Sequence, residues 1–320
     1  MCFTQIPWVA SFEMEYPRYL GPVRRQAIDA AYEMMARDAC RLLLPMSQAA
    51  KSYFLRRVPD HLVSVIEPKV HVFSGGVSVP PGALCARERY LQDSRSEFRV
   101  GFVGNDFWRK GGPALLRAAG TLRRRSCNIR LIIISALQPR TYVTDIDEGA
   151  YAHVVRTLQQ SEWIELYSGL PNEEVLTRLA ACDAFALPTL DESFGWAIVE
   201  AKALGLPVIT TNIFALPELA RHGSNAYVIR VPLDADHRWD GSPWHGLQSS
   251  RAYEQAMTLL GDGVVDALET LMNQPGLPAR LGSNARRHFL AEYAEDIAAH
   301  RLAALLHSAF QIEKDVAHSS

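Results

Sequence analysis

At 320 residues, 48% of them hydrophobic, the chain is long enough to bury two cores, and its 33 basic and 35 acidic residues leave a formal charge of -2, which implies no overall attraction to nucleic acid. Five scattered cysteines (Cys2, Cys40, Cys85, Cys127, Cys182), never spaced C-x-x-C, argue against a disulfide framework and a zinc site and fit a reducing compartment. The apolar run around Leu131 to Leu137 is far short of the ~20 residues a membrane span needs, and no basic segment followed by an apolar core opens the chain, so the expectation is a soluble, cytoplasmic protein.

In chain order, the first ninety-odd residues carry a helical stretch from Val23 to Arg41 and two short strand candidates, Arg41 to Pro45 and His71 to Gly75. The polar segment Pro81 to Glu97 reads as an interdomain linker. From Phe98 onward short apolar runs alternate with helical periodicity, as in a doubly wound α/β layer with a parallel sheet. The predicted strands are Arg99 to Gly104, Arg130 to Ser135, Trp163 to Tyr167, Ala184 to Pro188, Pro207 to Thr211 and Asn225 to Ile229. Helices are predicted between them, over Gly112 to Arg124, Gly149 to Gln160, Asn172 to Ala181, Gly195 to Leu204 and Leu216 to Arg221. Pro232 to Ser250 has no period and reads as a loop or insertion, after which helices resume over Arg251 to Asn273, Pro278 to Tyr293 and Ala294 to Lys314. Three segments result: 1–95, 96–293 and 294–320.

In such a sheet ligands bind outside the carboxyl ends of the strands, which directs attention to three strand-to-helix turns. The most informative runs Asp191-Glu192-Ser193-Phe194-Gly195-Trp196-Ala197-Ile198-Val199-Glu200, followed by Gly205-Leu206-Pro207-Val208. A helix starting near Gly195 offers free backbone N–H groups and the positive end of its dipole to an anion. Glu192 then faces that site from the loop, and Glu200 lies on the wall of the cleft; the alternative is an ordinary helix start with acidic capping. The second turn, Gly104-Asn105-Asp106-Phe107-Trp108-Arg109-Lys110-Gly111-Gly112, sets two cations where they would neutralise a diphosphate, unless they form only a solvated charged loop. Its glycines do not make a dinucleotide-binding G-x-G-x-x-G, which counts against a Rossmann-type oxidoreductase or epimerase. The third turn, Tyr167-Ser168-Gly169-Leu170-Pro171-Asn172, reads equally as a capped helix start with Asn172 as the cap.

Together these turns resemble the signature of family 4 retaining glycosyltransferases. The resemblance implies the GT-B fold, two Rossmann-like domains facing a cleft, with the N-terminal one incomplete, 96–293 binding the donor and 294–320 crossing back to the N-terminal part. It implies a nucleotide diphosphate sugar of the UDP or GDP type as donor, without a metal or other cofactor, and a saccharide, lipid-linked or small-molecule acceptor. Peripheral membrane contact enters because many relatives act on lipid-linked acceptors. By resemblance Glu192 contacts donor sugar hydroxyls and Glu200 the ribose. Ser193, Phe194 and Gly195 hold the diphosphate from the turn, Arg109 and Lys110 stabilise the leaving group, Gly104 and Asn105 line the donor site, and Leu170 lies beside the base. Where many relatives have a histidine at the end of an early strand this sequence has Glu13. It either substitutes in a polar role near the reacting sugar, or is specific to the acceptor, or sits one residue out of register. A non-catalytic partner subunit of a split or truncated enzyme is the rival reading.

Four other features carry less. Asp145-Ile146-Asp147 has the spacing of a metal-binding D-x-D but follows no apolar strand. The ten histidines include no pair with ligand spacing. Arg123-Arg124-Arg125 ends a helix, where cations complement the dipole. Trp239 and Trp244 either stack on a sugar or pin a loop.

Overall fold

The structure, a computed structural model, describes residues 6–18, 24–94, 96–138, 148–241, 250–274 and 276–316. The chain divides into two compact units, Met1–Gly76 with Glu292–Ser320, and Val77–Ala291.

In the first unit β1 (Trp8–Phe12) is followed by α1 (Arg25–Ala36), β2 (Cys40–Pro45), α2 (Gln48–Leu55), α3 (Asp60–Ile66) and a short 3-10 turn, Glu67–Lys69. β1 and β2 pair in parallel. Met35, Leu43, Phe54 and Ile66 form the centre of one core on this sheet. The last helix of the chain, α12 (Glu295–Val316), covers the other face of β2, where Leu42 and Leu44 meet Leu302, Leu305 and Ala309. The predicted helix from Val23 to Arg41 is shorter than its apolar pattern, because Cys40 and Arg41 already belong to β2. His71 to Gly75 is not a strand: it is an extended segment held to β2 by His71 N–H to the Leu43 carbonyl (3.0 Å) and Phe73 N–H to the Pro45 carbonyl (2.9 Å). Two helices, α2 and α3, went unpredicted; Ser47 starts the first by accepting from the Ala50 N–H at 3.0 Å.

The second unit opens with a correction. The stretch predicted as a linker forms α4 (Pro81–Gln92), with Pro81 in the first turn where its missing N–H costs nothing. Its polar composition belongs to an amphipathic helix: Ala83 and Tyr90 are buried, and the Tyr90 hydroxyl donates to Asp183 at 2.8 Å. Beyond it come β3 (Phe98–Val103), α5 (Gly112–Arg124), β4 (Ile129–Ile134), α6 (Glu148–Gln160), β5 (Ile164–Tyr167) and α7 (Asn172–Ala180), against which α4 packs. The remainder is β6 (Ala184–Leu187), α8 (Trp196–Ala203), β7 (Val208–Thr211), α9 (Leu216–Leu219), β8 (Ala226–Ile229), α10 (Ser250–Asn273) and α11 (Leu277–Glu292). The strands make one parallel sheet in the order β5-β4-β3-β6-β7-β8, reversing between β3 and β6, the switch point at which a crevice opens. Central strands are buried on both faces, which is why Leu131 to Ile134 reads as a continuous apolar run. On α5, Ala114, Leu115, Ala118, Ala119 and Leu122 form one buried face.

After β8 the chain forms a small turn closed by an antiparallel bridge between Leu233 and Trp239. Trp239 is buried there, which pins the loop. Trp244 and the Asp145-Ile146-Asp147 motif lie outside the described residues. Arg123 donates to the Ile129 carbonyl (2.8 Å), Arg124 to the Thr121 hydroxyl (3.0 Å) and Arg125 to Glu269 (2.5 Å), so each cation of that run has a protein partner. Burial pushes the Cys40 thiol up to about 11 and raises that of Cys182 as well, which makes both poor nucleophiles. Among the described residues no helix is long and apolar enough to cross a membrane.

Candidate active site

A pocket of about 1040 Å³ opens at the carboxyl ends of the strands of the second unit. The loop after β3 contributes Gly104, Asn105, Arg109 and Lys110, the turn after β5 Gly169 and Leu170, the loop after β6 Glu192, and α8 Trp196, Ala197 and Glu200.

The loop after β3 is fixed from below by its aromatics. Phe107 and Trp108 are buried, Trp108 stacks on Tyr151 at 5.2 Å, and its carbonyl accepts from the Tyr253 hydroxyl at 3.1 Å. From above, Gly111 brings the loop against the chain after β6. Its φ is +79°, and a Cβ there would lie 1.9 Å from the Pro188 carbonyl oxygen, so only glycine fits. The Leu190 N–H then reaches the Arg109 carbonyl at 2.9 Å, which joins the two loops by backbone.

This junction pairs the charges of the two loops. Lys110 bonds Glu192, a half-shielded pair in which the two side chains are 16% and 11% exposed. Arg109 holds Asp106 at 2.8 Å, donates to the Asp191 carbonyl at 2.7 Å and lies 3.7 Å from its carboxylate. Arg238 takes the other side of that carboxylate at 2.9 Å. The Arg109 guanidinium is thus engaged by two carboxylates and a carbonyl, whereas among the described residues Lys110 pairs with Glu192 alone. Both cations line the pocket.

On the opposite wall α8 begins after Gly195, whose φ of +105° turns the chain into the helix with no side chain capping the turn. Trp196 and Ala197 of the first turn line the pocket, and no side chain caps the N–H groups of that turn. Phe194 is 2% exposed and packs its ring 4.9 Å from Trp196, so its backbone alone is available to a ligand. Ser193 is half-buried beside it and does not line the pocket. Glu200 does line it; burial raises its pKa, partly offset by a hydrogen bond from the Asn172 side chain. That bond corrects the reading of Asn172 as a helix cap: the cap position is Pro171, and Asn172 turns its amide to Glu200. Leu170, after the left-handed Gly169, lines the pocket near Asn172. Glu13 belongs to the first unit, exposed in the bend after β1. Sequence reasoning missed Asp106, Asn172, Asp191 and Arg238; only Asp191, adjacent to Glu192, carried a local signal.

Residues 89–239 match the family model described as glycosyl transferases group 1. The chain is 26% identical over 241 residues to a D-inositol 3-phosphate glycosyltransferase of Corynebacterium glutamicum (strain R), across 72% of this chain and 48% of that protein. It is 22% identical over 218 residues to the capsular polysaccharide biosynthesis glycosyltransferase CapM of Staphylococcus aureus, across 66% and 46%. The chain thus spans about half the length of the curated relatives it matches. Sucrose-phosphate synthase from Thermosynechococcus elongatus shares the fold with a TM-score of 0.63 at 16% identity, over 90% of this chain and 63% of that one. Anabaena Alr3699/HepE, solved in complex with UDP and glucose, does so with 0.61 at 17% identity, over 94% and 72%. The turns that gather Lys110, Glu192 and Glu200 around one pocket all fall inside the matched segment, and the chain, an α/β protein with the GT-B type of fold, is similar over that segment to the glycosyl transferases group 1.

Proposed function

We propose that this chain is a retaining glycosyltransferase that takes its sugar from a nucleotide diphosphate donor, of the UDP or GDP type, and passes it to a saccharide, lipid-linked or small-molecule acceptor without a divalent metal. The observation that carries the reading is the meeting of Lys110, Glu192, Glu200 and the uncapped start of α8 around a single pocket. The Glu200 carboxylate accepts hydrogen bonds from the ribose hydroxyls, with Asn172 fixing its direction. Lys110 and the N–H groups of the Gly195–Ala197 turn take the diphosphate, with Gly104 and Asn105 beside it, and Leu170 borders the base. Glu192 meets the donor sugar hydroxyls.

Charge builds on the departing diphosphate as the glycosidic bond breaks, and donors already aimed at that oxygen lower the barrier most. Lys110 and the α8 dipole supply that stabilisation, the work a divalent cation would do elsewhere. The acceptor approaches from the face the diphosphate leaves, and a phosphate oxygen takes its proton, so the anomeric configuration is kept. UDP in the HepE structure is consistent with this donor class.

The test is calorimetric titration of the purified chain with UDP, GDP and ADP, with and without EDTA, followed by proton NMR of the sugar released from the matching donor. Metal-independent binding of one nucleotide and an anomer that matches the donor are expected. Binding of none of the three overturns the donor reading, and an inverted anomer overturns retention.

A further inference from the structure

A second cavity of the Val77–Ala291 unit, of about 530 Å³, plays no part in that chemistry. It lies at the other edge of the sheet, where strands begin: Asp183 precedes β6 and Pro207 precedes β7. Leu84 and Leu91 of α4, Leu204 after α8, Pro207 and Pro278 give it apolar walls.

The four charged side chains that line it are not equivalent. Arg87 donates to the carbonyls of Cys182 and Ala180, and the Asp183 carboxylate accepts from the Tyr90 hydroxyl and from the Arg99 N–H at 2.7 Å. Both are occupied. Arg286 of α11 is different: its Nη1 is buried without a hydrogen-bond partner, and among the described residues no carboxylate pairs with it. The Phe289 ring lies 5.7 Å from the guanidinium, and Glu88, exposed at the rim, forms no ion pair with it. Burial lowers the Arg286 pKa with no opposing charge to offset it.

A buried guanidinium N–H without an acceptor is costly, and a fold that could close over it would be expected to do so. The walls here are held apart from collapse. A Cβ on Gly282 would lie 2.1 Å from the Gly205 carbonyl oxygen, so α11 already touches the turn after α8 backbone to backbone. Buried Lys202 ties the same elements together, donating to the Leu219 carbonyl at 2.7 Å and reaching His288 Nδ1 on α11. The cavity is preformed, and among the described residues none of its lining groups accepts from Arg286 Nη1.

We infer that this cavity binds a small anion with an apolar body, a carboxylate or phosphate monoester whose charge is taken by Arg286 and whose apolar part fills the space between Leu84, Leu204 and Pro278. It is separate from the donor pocket, which shares none of these residues.

The experiment is ligand-detected NMR on the whole chain with hexanoate and phenyl phosphate as probes, comparing wild type with Arg286→Gln, Leu84→Trp and Lys110→Ala. At least one probe is expected to bind wild type and Lys110→Ala alike, and to lose about ten-fold or more in affinity in Arg286→Gln, the scale of one charge-assisted hydrogen bond. Leu84→Trp, which keeps the cation but fills the cavity, is expected to block binding as well. The inference is overturned if neither probe binds wild type, if Arg286→Gln or a folded Leu84→Trp binds as wild type does, or if binding is lost in Lys110→Ala, which would put the probe in the donor pocket.

Discussion

Replacing Gly111 with alanine tests whether the two charged loops are held by the backbone approach described above. At φ +79° an L-residue pays roughly 1 kcal/mol of local strain. The new Cβ would stand 1.9 Å from the Pro188 oxygen and 2.6 Å from its carbonyl carbon, and both are backbone atoms that no rotamer can move away. Forcing an extra carbon into such a contact typically costs about 1–3 kcal/mol, so the substitution should destabilise the unit by about 2–4 kcal/mol in all. For a domain of this size that is a fall in melting temperature of roughly 5–15 °C. The displacement falls on Lys110 and on the Pro188–Leu190 chain that carries Glu192, so UDP affinity should drop in the protein that remains folded. Thermal unfolding by circular dichroism and calorimetric UDP titration on one preparation give both readouts. A melting temperature within about 1 °C of wild type with unchanged UDP affinity would refute the reasoning, because it would mean the loops are not in contact.

Lys110→Ala should lower kcat by about a hundred-fold while raising the donor KM much less, as expected for a group that acts mainly on the departing charge; equal effects on both in steady-state kinetics would count against that role. Glu200→Gln should weaken UDP binding about ten-fold or more in the same titration. Burial holds the Glu200 pKa above its unfolded value of 4.5, so the stability this proton contributes is complete below pH 4.5 and lost as pH rises through the folded value. The glutamine variant should therefore be more stable than wild type at neutral pH and lose that advantage at low pH; a gap independent of pH in urea unfolding would contradict it. Trp239→Ala should cost about 3–5 kcal/mol of stability as a core truncation, whereas a large loss of transfer at unchanged stability would return this side chain to sugar stacking.

The second unit was readable because its strands are buried on both faces and its helices on one, so periodicity and the ends of apolar runs mark each element within a residue or two. α4 escaped because its buried residues are few: Ala83 and Tyr90 give no apolar stripe, and what holds it is the reach of Tyr90 and Arg87 to residues 180–183. The site divides in the same way. Glu192, Gly195 and Glu200 lie within one turn of chain and announce themselves by spacing. Asn172 reaches Glu200 from another turn, and Arg238 reaches Asp191 from a hairpin 47 residues on, so neither leaves a local mark. Spacing also hides commitment: adjacent cations at 109 and 110 look interchangeable until their partners are seen.

That difference bears on how the pocket exchanges charge. Arg109 spends its planar fork on Asp106 and Asp191, with a carbonyl bond in between, and a diphosphate could recruit it only by breaking a chain of contacts that extends to Arg238. Lys110 has one carboxylate partner, and its ammonium carries three donors on a flexible stem. On the proposed reading it can keep a bond to Glu192 while adding one to phosphate, or release Glu192 to the sugar hydroxyls as the negative charge moves in. Without a ligand, the Lys110–Glu192 bond keeps two poorly solvated charges satisfied; on the proposed reading, with a donor bound the same two side chains divide between its phosphate and sugar ends. On that reading the Arg109 network, tied to Asp106, Asp191 and through it to Arg238, fixes where the exchange happens.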